Sequence, residues 1–269
     1  MAETYRLPTT PQTIGHVLDA GTKLFMASFS RVVALALLAQ LAMFVPQIFT
    51  HFSGLPTSST SVSWLRVGLV VAAYIVAGGL YAGLYLAAVL RSWRIANGDD
   101  MPAGDAVRSG YRRTPRAILA GLFYGMVVVG GFVLLVIPGI YLMGALALFV
   151  APLLFENVGA RACLSRSLQL MRGNWWRGVT VLSVPLILAT VVLIVVQLLP
   201  LFVFSIDISS GDFEPTPLME LLSSAAGMFL NGLLTPWSIG VTIALYNDLR
   251  LRREGDDLSQ RLAGLSAPA

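Results

Sequence analysis

The side chains that most often perform chemistry are scarce in this sequence, which has two histidines (His16 and His51) and one cysteine, Cys163. The first predicted membrane span separates the two histidines, so we expect neither a histidine metal site nor a Ser-His-Asp arrangement. Cys163 has no obvious partner base, and we interpret it as a small residue on a surface helix. The sequence also has no glycine-rich phosphate loop with a lysine. We therefore predict a protein that is not an enzyme and has no cofactor.

Four uncharged polar residues inside apolar runs are the next candidates: Gln40, Gln197, Asn231 and Thr235. A polar side chain in the apolar part of a membrane needs a hydrogen-bond partner. One interpretation is that these residues hold the helices of a bundle together. The other is that Asn231 and a helix break at Thr235 and Pro236 line a central cavity for a lipid headgroup or a small amphiphile. The sequence leaves both interpretations open.

A second group of candidates comprises four arginines and two tryptophans: Arg161, Arg166, Arg172, Arg177, Trp175 and Trp176. Basic residues at a membrane surface attract anionic headgroups by about 1 kcal/mol each. Membrane orientation alone also explains arginines on this side, so both interpretations are open. Nucleic acid is not an expected partner, because the basic residues are spread over several loops without a compact domain to present them.

The composition shows which elements must position these residues. The chain of 269 residues is 56% hydrophobic and only 12% charged, against about a quarter charged in soluble domains. A helix needs about 20 apolar residues to cross a bilayer. Six runs meet this need: 32–49, 67–90, 117–136, 139–155, 179–199 and 221–246. We predict an all-α, polytopic membrane bundle of six transmembrane helices over residues 1–246, followed by a polar cytoplasmic tail at 247–269.

The boundary between the third and fourth spans is the least distinct, because residues 117–155 contain no charged side chain. Pro138 and Gly139 are the only signal of a helix boundary in this stretch, since proline lacks a backbone donor and glycine permits a tight turn. We therefore expect a hairpin turn at Pro138 and Gly139. The alternative is a re-entrant pair of helices that never reaches the far side of the membrane.

The charge distribution predicts the orientation. All of the 18 Lys and Arg residues except Arg66 fall on one side of the six predicted spans. By the positive-inside rule, both termini lie in the cytoplasm.

Amphipathic segments precede the first, third and fifth spans, and we predict that they form interfacial helices on the membrane surface. Each such span is entered past an arginine, at Arg31, Arg116 and Arg177. The chain thus has the pattern of three units, each a surface helix and a transmembrane hairpin. Any hairpin protein with basic inner loops shows part of this pattern, so internal duplication remains an open alternative.

Residues 134–176 carry a family resemblance. The segments Leu135-Val136-Ile137-Pro138-Gly139-Ile140, Ala151-Pro152-Leu153 and Ser165-Arg166-Ser167-Leu168-Gln169-Leu170 resemble the YciC-like family of bacterial inner-membrane proteins. They are also similar to the membrane domain fused to some glycerophosphodiester phosphodiesterases. The resemblance implies a six-span protein of the bacterial inner membrane with a role in envelope integrity or lipid handling. It supplies no catalytic residues, because the phosphodiesterase active site belongs to a separate soluble barrel of about 250 residues.

These observations lead to two hypotheses about function. The first is a non-enzymatic inner-membrane protein that organises membrane lipids or another membrane protein. The alternative is a transporter or flippase-like carrier of a lipid or small amphiphile. Such a carrier would work without ion coupling inside the membrane, because none of the six predicted spans contains Asp, Glu, Lys, Arg or His.

Overall fold

The computed structural model describes residues 6–52, 64–203 and 217–266, and this part of the chain contains helices and no strands. The helices are α1 (Ile14–Phe52), α2 (Trp64–Ala96), α3 (Ala103–Leu134), α4 (Val136–Ala145), α5 (Val150–Phe155), α6 (Ala160–Met171), α7 (Trp175–Val203) and α8 (Pro217–Ser266).

The described residues contain six segments that are long and apolar enough to cross a membrane. Five of them lie in single helices, and the sixth, Val136–Phe155, comprises α4 and α5. Each contains or closely matches one of the six predicted spans. The all-α fold and the multi-pass membrane architecture are therefore confirmed. Helix α8 continues past the last predicted span to Ser266, through most of the residues expected to form a polar tail.

The segments before the first and third spans are continuous with the spanning helices. α1 and α3 run unbroken from the amphipathic segment into the apolar one, and Pro115 lies inside α3 without ending it. The apolar face of the α1 segment, with Val17 and Ala20, is buried against Val241 and Leu245 of α8. This face thus packs on protein. Only α6 is a separate helix before its span.

The turn between α3 and α4 lies at Leu135, whose extended backbone (φ −164°, ψ 149°) separates the two helices. The predicted turn at Pro138 and Gly139 is therefore wrong by three residues. Pro138 is accommodated in the first turn of α4, where backbone N–H groups have no partner within the helix. Gly139 faces Phe132 so closely that a Cβ would lie 2.5 Å from its ring, so glycine is needed for packing rather than for turning.

The fourth span is interrupted between α4 and α5, at residues 146–149. Irregular backbone at membrane depth is tolerated only where protein covers it. Leu146 and Leu148 in the break are buried. The Ser167 hydroxyl of α6 donates to the carbonyl of Ala145 at 3.0 Å and satisfies the end of α4. Helix α6 therefore covers the break.

Helix α1 packs along α8 and α2, α3 packs along α2 and α4, and α7 packs along α8. Glycines permit the closest crossings. A Cβ at Gly240 of α8 would lie 2.5 Å from the carbonyl oxygen of Gly21, and a Cβ at Gly110 of α3 would lie 2.5 Å from that of Gly83. The backbones of these helix pairs are therefore in direct contact, as small residues allow in membranes.

The hydrogen bond from the Ser167 side chain to the Ala145 carbonyl marks a third crossing, which differs from the other two in having no glycine contact. Each crossing joins the stretch before an odd-numbered span, in α1, α3 or α6, to the helix of an even-numbered span, in α8, α2 or α4. The three-unit pattern of the sequence thus has a counterpart in the way the units dock. Internal duplication itself stays a prediction.

We expect Gly110→Ala to destabilise the protein by about 1 to 3 kcal/mol, because the new methyl group must separate α2 from α3. Gly121→Ala on the same helix is the matched control, since a Cβ there meets nothing within 4 Å. Thermal unfolding of both variants in one detergent checks the difference. Equal unfolding temperatures would contradict the backbone contact.

Candidate functional site

A cleft opens between α1, α7 and α8 at the end of the bundle opposite α6, with a volume of about 290 Å³. We call it the three-helix cleft. Its apolar lining includes Met43, Phe44, Leu193 and Met228. The polar lining residues are Gln40, Gln47, Gln197, Ser223, Ser224 and Asn231. Three of the four polar residues selected from the sequence therefore meet in this cleft.

Hydrogen bonds tie part of this lining together. The Gln40 amide donates to Thr235 Oγ1 at 3.4 Å, which joins α1 to α8. The Thr235 hydroxyl donates in turn to the Asn231 carbonyl at 2.7 Å, and the Asn231 amide donates to the Gly227 carbonyl at 3.1 Å. Thr235 thus contacts the cleft lining without lining the cleft. The bond between Gln40 and Thr235 is a helix-to-helix contact of the kind that the first interpretation describes. The helix break expected at Thr235 and Pro236 is absent, because α8 continues through Pro236.

Gln197 differs from the other amides. It lies near the end of α7 with an exposed side chain and forms no hydrogen bond to any residue that the structure describes. The neighbouring Ile194 and Val195 are more than half exposed, so this face of α7 meets lipid chains. An amide in that setting needs a partner, and the cleft it lines is where that partner fits.

A smaller space of about 200 Å³ continues the cleft toward the end of the bundle, where Gln47, Ser224 and Glu220 line it. The Gln47 amide donates to the Ser224 hydroxyl at 3.1 Å across α1 and α8. No arginine or lysine lines either space among the described residues. The combined site therefore offers amides and hydroxyls without a described cation, a set that suits a neutral or cationic polar group.

The opposite end of the bundle is closed by a cluster around Asp248, whose side chain is 2% exposed. Arg177 and Arg252 each donate from Nε to Asp248 Oδ2 at 3.0 Å. The backbone N–H of Gln12 donates to Asp248 Oδ1 at 2.7 Å, and both arginines also donate to the Gln12 carbonyl. We call these four residues the Asp248 cluster. It fixes the start of α1, the start of α7 and the end of the spanning part of α8 at one point.

A second cluster surrounds Glu156, which directly follows α5. Arg166 Nε lies 3.1 Å from both carboxylate oxygens, and the Tyr246 hydroxyl donates to Oε1 at 2.6 Å. Arg166 also lies 3.8 Å from Glu254, which pairs with Arg250 at 2.7 Å. This Glu156 cluster joins α6 to α8 on the side of the bundle that carries α6.

The arginines and tryptophans predicted to contact headgroups therefore separate into different environments. Arg166 and Arg177 hold carboxylates of this chain, which occupies their guanidinium groups. Arg172 is exposed, Trp176 is 77% exposed, and Trp175 stacks on Tyr141 at 5.7 Å and donates to its carbonyl. The six residues do not form one surface. Arg161 lies over an aromatic ring of α3 instead.

Asp248 and Glu156 were missed in the sequence. Both are acids on the side where almost all basic residues lie. Glu156 directly follows an apolar run, and Asp248 follows one after a single intervening residue. That position was the available signal, since an acid at the end of a span among many arginines is a natural ion-pair partner.

Cys163 lies fully buried in α6, and its Sγ is 3.1 Å from the Ala160 carbonyl. Burial raises the pKa of the Cys163 thiol, which keeps it protonated and unreactive. Within the described part of the chain, no group of three or more His, Cys, Asp or Glu side chains is arranged to hold a metal ion.

We expect Asp248→Asn to destabilise the protein by about 3 to 5 kcal/mol, because Arg177 and Arg252 would be left without their carboxylate in a buried site. Asp19→Asn is the control, since it breaks an exposed pair with Lys23 that contributes about 0.5 kcal/mol or less. Thermal unfolding in detergent measures both. A small effect at Asp248 would show that the cluster does not hold the bundle closed.

Comparisons with known proteins found no match: no protein-family model, no curated protein and no solved structure matches the chain. Membership of the YciC-like family therefore stays a prediction that rests on the sequence segments in residues 134–176.

Proposed function

We propose that this integral membrane protein is not an enzyme and organises lipid, by holding the polar end of a lipid or similar amphiphile in the three-helix cleft. One observation carries the proposal: the cleft gathers six polar side chains beside lipid-facing helix surfaces, and one of them, Gln197, has no described partner. A polar head bound there would supply the missing hydrogen bonds.

The shape of the site supports an amphiphile rather than a fully polar ligand. Beside the polar lining, Leu193 and Met228 give the cleft apolar walls. The adjoining surface of α7 carries exposed Val191, Ile194 and Val195. A hydrocarbon chain leaving the cleft would therefore lie along α7 in the lipid phase. The polar end and the chain would each meet a matching surface.

The lining also indicates the kind of head group. Amides and hydroxyls both donate and accept hydrogen bonds, and Glu220 lies at the end of the combined space. An anionic phosphate held deep among these residues would have no cation to compensate its charge. We therefore infer a head rich in hydroxyl, amide or ammonium groups.

The closed end of the bundle favours holding a ligand over passing it through. Between the cleft and the side of α6 lie the Gly21 and Gly240 crossing, the buried core around Leu245 and Tyr246, and the Asp248 cluster. The alternative carrier would have to separate α1 from α8 at that crossing. Lipid organisation needs no such step.

The same proposal places the protein in a bacterial inner membrane with both termini and α6 in the cytoplasm. The support is the distribution of Lys and Arg, of which only Arg66 lies on the other side. The three-helix cleft would then open in the periplasmic half of the membrane.

We expect the double variant Gln197→Leu and Asn231→Leu to lose a co-purified lipid that the unchanged protein retains. Loss of one or two hydrogen bonds to the head weakens retention by roughly three- to a hundredfold. Native mass spectrometry of protein extracted gently from its own membrane measures the bound mass. Thr190→Val is the control, because Thr190 is also polar and exposed on α7 but lies outside the cleft.

The proposal fails if the double variant and Thr190→Val retain the same lipids in the same amounts as the unchanged chain. It also fails if the unchanged chain carries no lipid but a stable companion protein, since the cleft would then serve a protein partner.

A further inference from the structure

We propose a second, separate site for an anionic phospholipid on the side of the bundle that carries α6, formed by Arg112, Arg116 and Arg161 around Phe123. We call this the arginine strip. It shares no residue with the three-helix cleft. Its ligand would be held by the charges of arginines rather than by hydrogen bonds of amides.

The strip follows one face of α3. Residues 112, 116, 119 and 123 are spaced by three or four positions, so their side chains lie on one side of the helix. Arg112 and Arg116 are exposed. The guanidinium carbon of Arg161, from the first turn of α6, lies 5.3 Å from the centre of the Phe123 ring. Three cations from two helices are thereby aligned along a strip about 16 Å long.

These arginines lack the carboxylate partners that the arginines of the Asp248 and Glu156 clusters have. Arg166, Arg177 and Arg252 all pair with carboxylates of this chain. No carboxylate in the described part of the chain forms an ion pair with the three arginines of the strip. The acid nearest to them along this face of α3 is Asp105, two helical turns before Arg112.

One further positive charge lies beside the strip. Arg113 follows Arg112 directly in the chain, and its Nη1 donates to the Leu154 carbonyl at 3.1 Å. This hydrogen bond fixes the Arg113 guanidinium between α3 and α5, so an anion bound at the strip would lie near a fourth cation.

The position of the strip selects a lipid over a soluble anion. Arg116 directly precedes the apolar part of α3, and Phe123 lies two turns inside it. Leu119 and Leu122 beside the strip are 46% and 60% exposed. A phosphate at the arginines would thus continue into acyl chains along exposed leucines. A free phosphate would make no use of that surface.

The test compares Arg116→Gln with Arg161→Gln in one double variant against Arg6→Gln with Arg253→Gln in another. All four arginines are exposed, and both doubles lower the net charge by two. Each protein is placed in nanodiscs of equimolar phosphatidylglycerol and phosphatidylcholine, and native mass spectrometry counts the retained phosphatidylglycerol. At about 1 kcal/mol for each arginine, the strip double weakens retention of one phosphatidylglycerol about 30-fold, and the control double leaves it unchanged.

Equal losses in the two doubles would overturn the proposal, because general surface charge would then explain the binding. No loss in either double would overturn it as well. Inorganic phosphate alone, added in detergent, is the second arm. If phosphate raises the unfolding temperature of the unchanged protein, and does so no longer in the strip double, the site serves a soluble anion and the lipid assignment is wrong.

A third measurement covers the case in which the strip double does not fold. A benzoylphenylalanine replacing the exposed Leu119 cross-links to whatever lies beside the strip. We expect a phosphatidylglycerol adduct in mixed nanodiscs in excess over phosphatidylcholine, and an adduct ratio equal to the lipid ratio would contradict the site. Because this experiment does not involve the three-helix cleft, its failure leaves the proposed function unaffected.

Discussion

The structure depends most on a single buried carboxylate. Asp248 accepts hydrogen bonds from two arginines and from the backbone of Gln12. A buried charge is tolerated only when it has hydrogen-bond partners and opposite charges beside it. Arg177, Arg252 and the backbone of Gln12 supply both to Asp248, and they come from three separate parts of the chain. The segment just before α1, the start of α7 and helix α8 are therefore positioned relative to one another by electrostatics, in a membrane that provides little hydrophobic force between helices.

This constraint divides the bundle into two halves with different properties. On the side of α6, the Asp248 cluster, the Glu156 cluster and the glycine crossings hold the helices at close distance. Toward the other end, Leu37 of α1 packs closely on Gly232 of α8, and Gln40 and Gln47 of α1 each form one hydrogen bond to α8. No ion pair among the described residues joins α1, α7 and α8 there. The three-helix cleft lies in this half of the bundle.

The sequence was sufficient for features that depend on length and composition. The six spans follow from uncharged apolar runs, because the bilayer thickness imposes a minimum length on any crossing helix. Gln40, Gln197 and Asn231 were selected for a related reason, since an amide in lipid needs a hydrogen-bond partner. Their shared cleft required the structure, because the depth and rotation of each helix are set by packing.

Features that depend on pairing were less predictable. Charge counts grouped Arg166 and Arg177 with the other basic residues, but they did not reveal that Glu156 and Asp248 already hold them. In the sequence, Pro138 is compatible both with a turn between helices and with the first turn of a helix. The choice between them depends on the fit of Gly139 against Phe132. In both cases the deciding partner is distant in sequence or supplied by another helix.

The central claim is that the three-helix cleft holds the polar end of an amphiphile. A density map from electron cryomicroscopy of the protein in nanodiscs of its native lipid, with a bound antibody fragment as a marker, tests it most directly. The account predicts elongated density with one end within hydrogen-bond distance of the Gln197 and Asn231 amides and a tail along α7. A cleft closed by contact of α7 with α1, with no density between them, would contradict it.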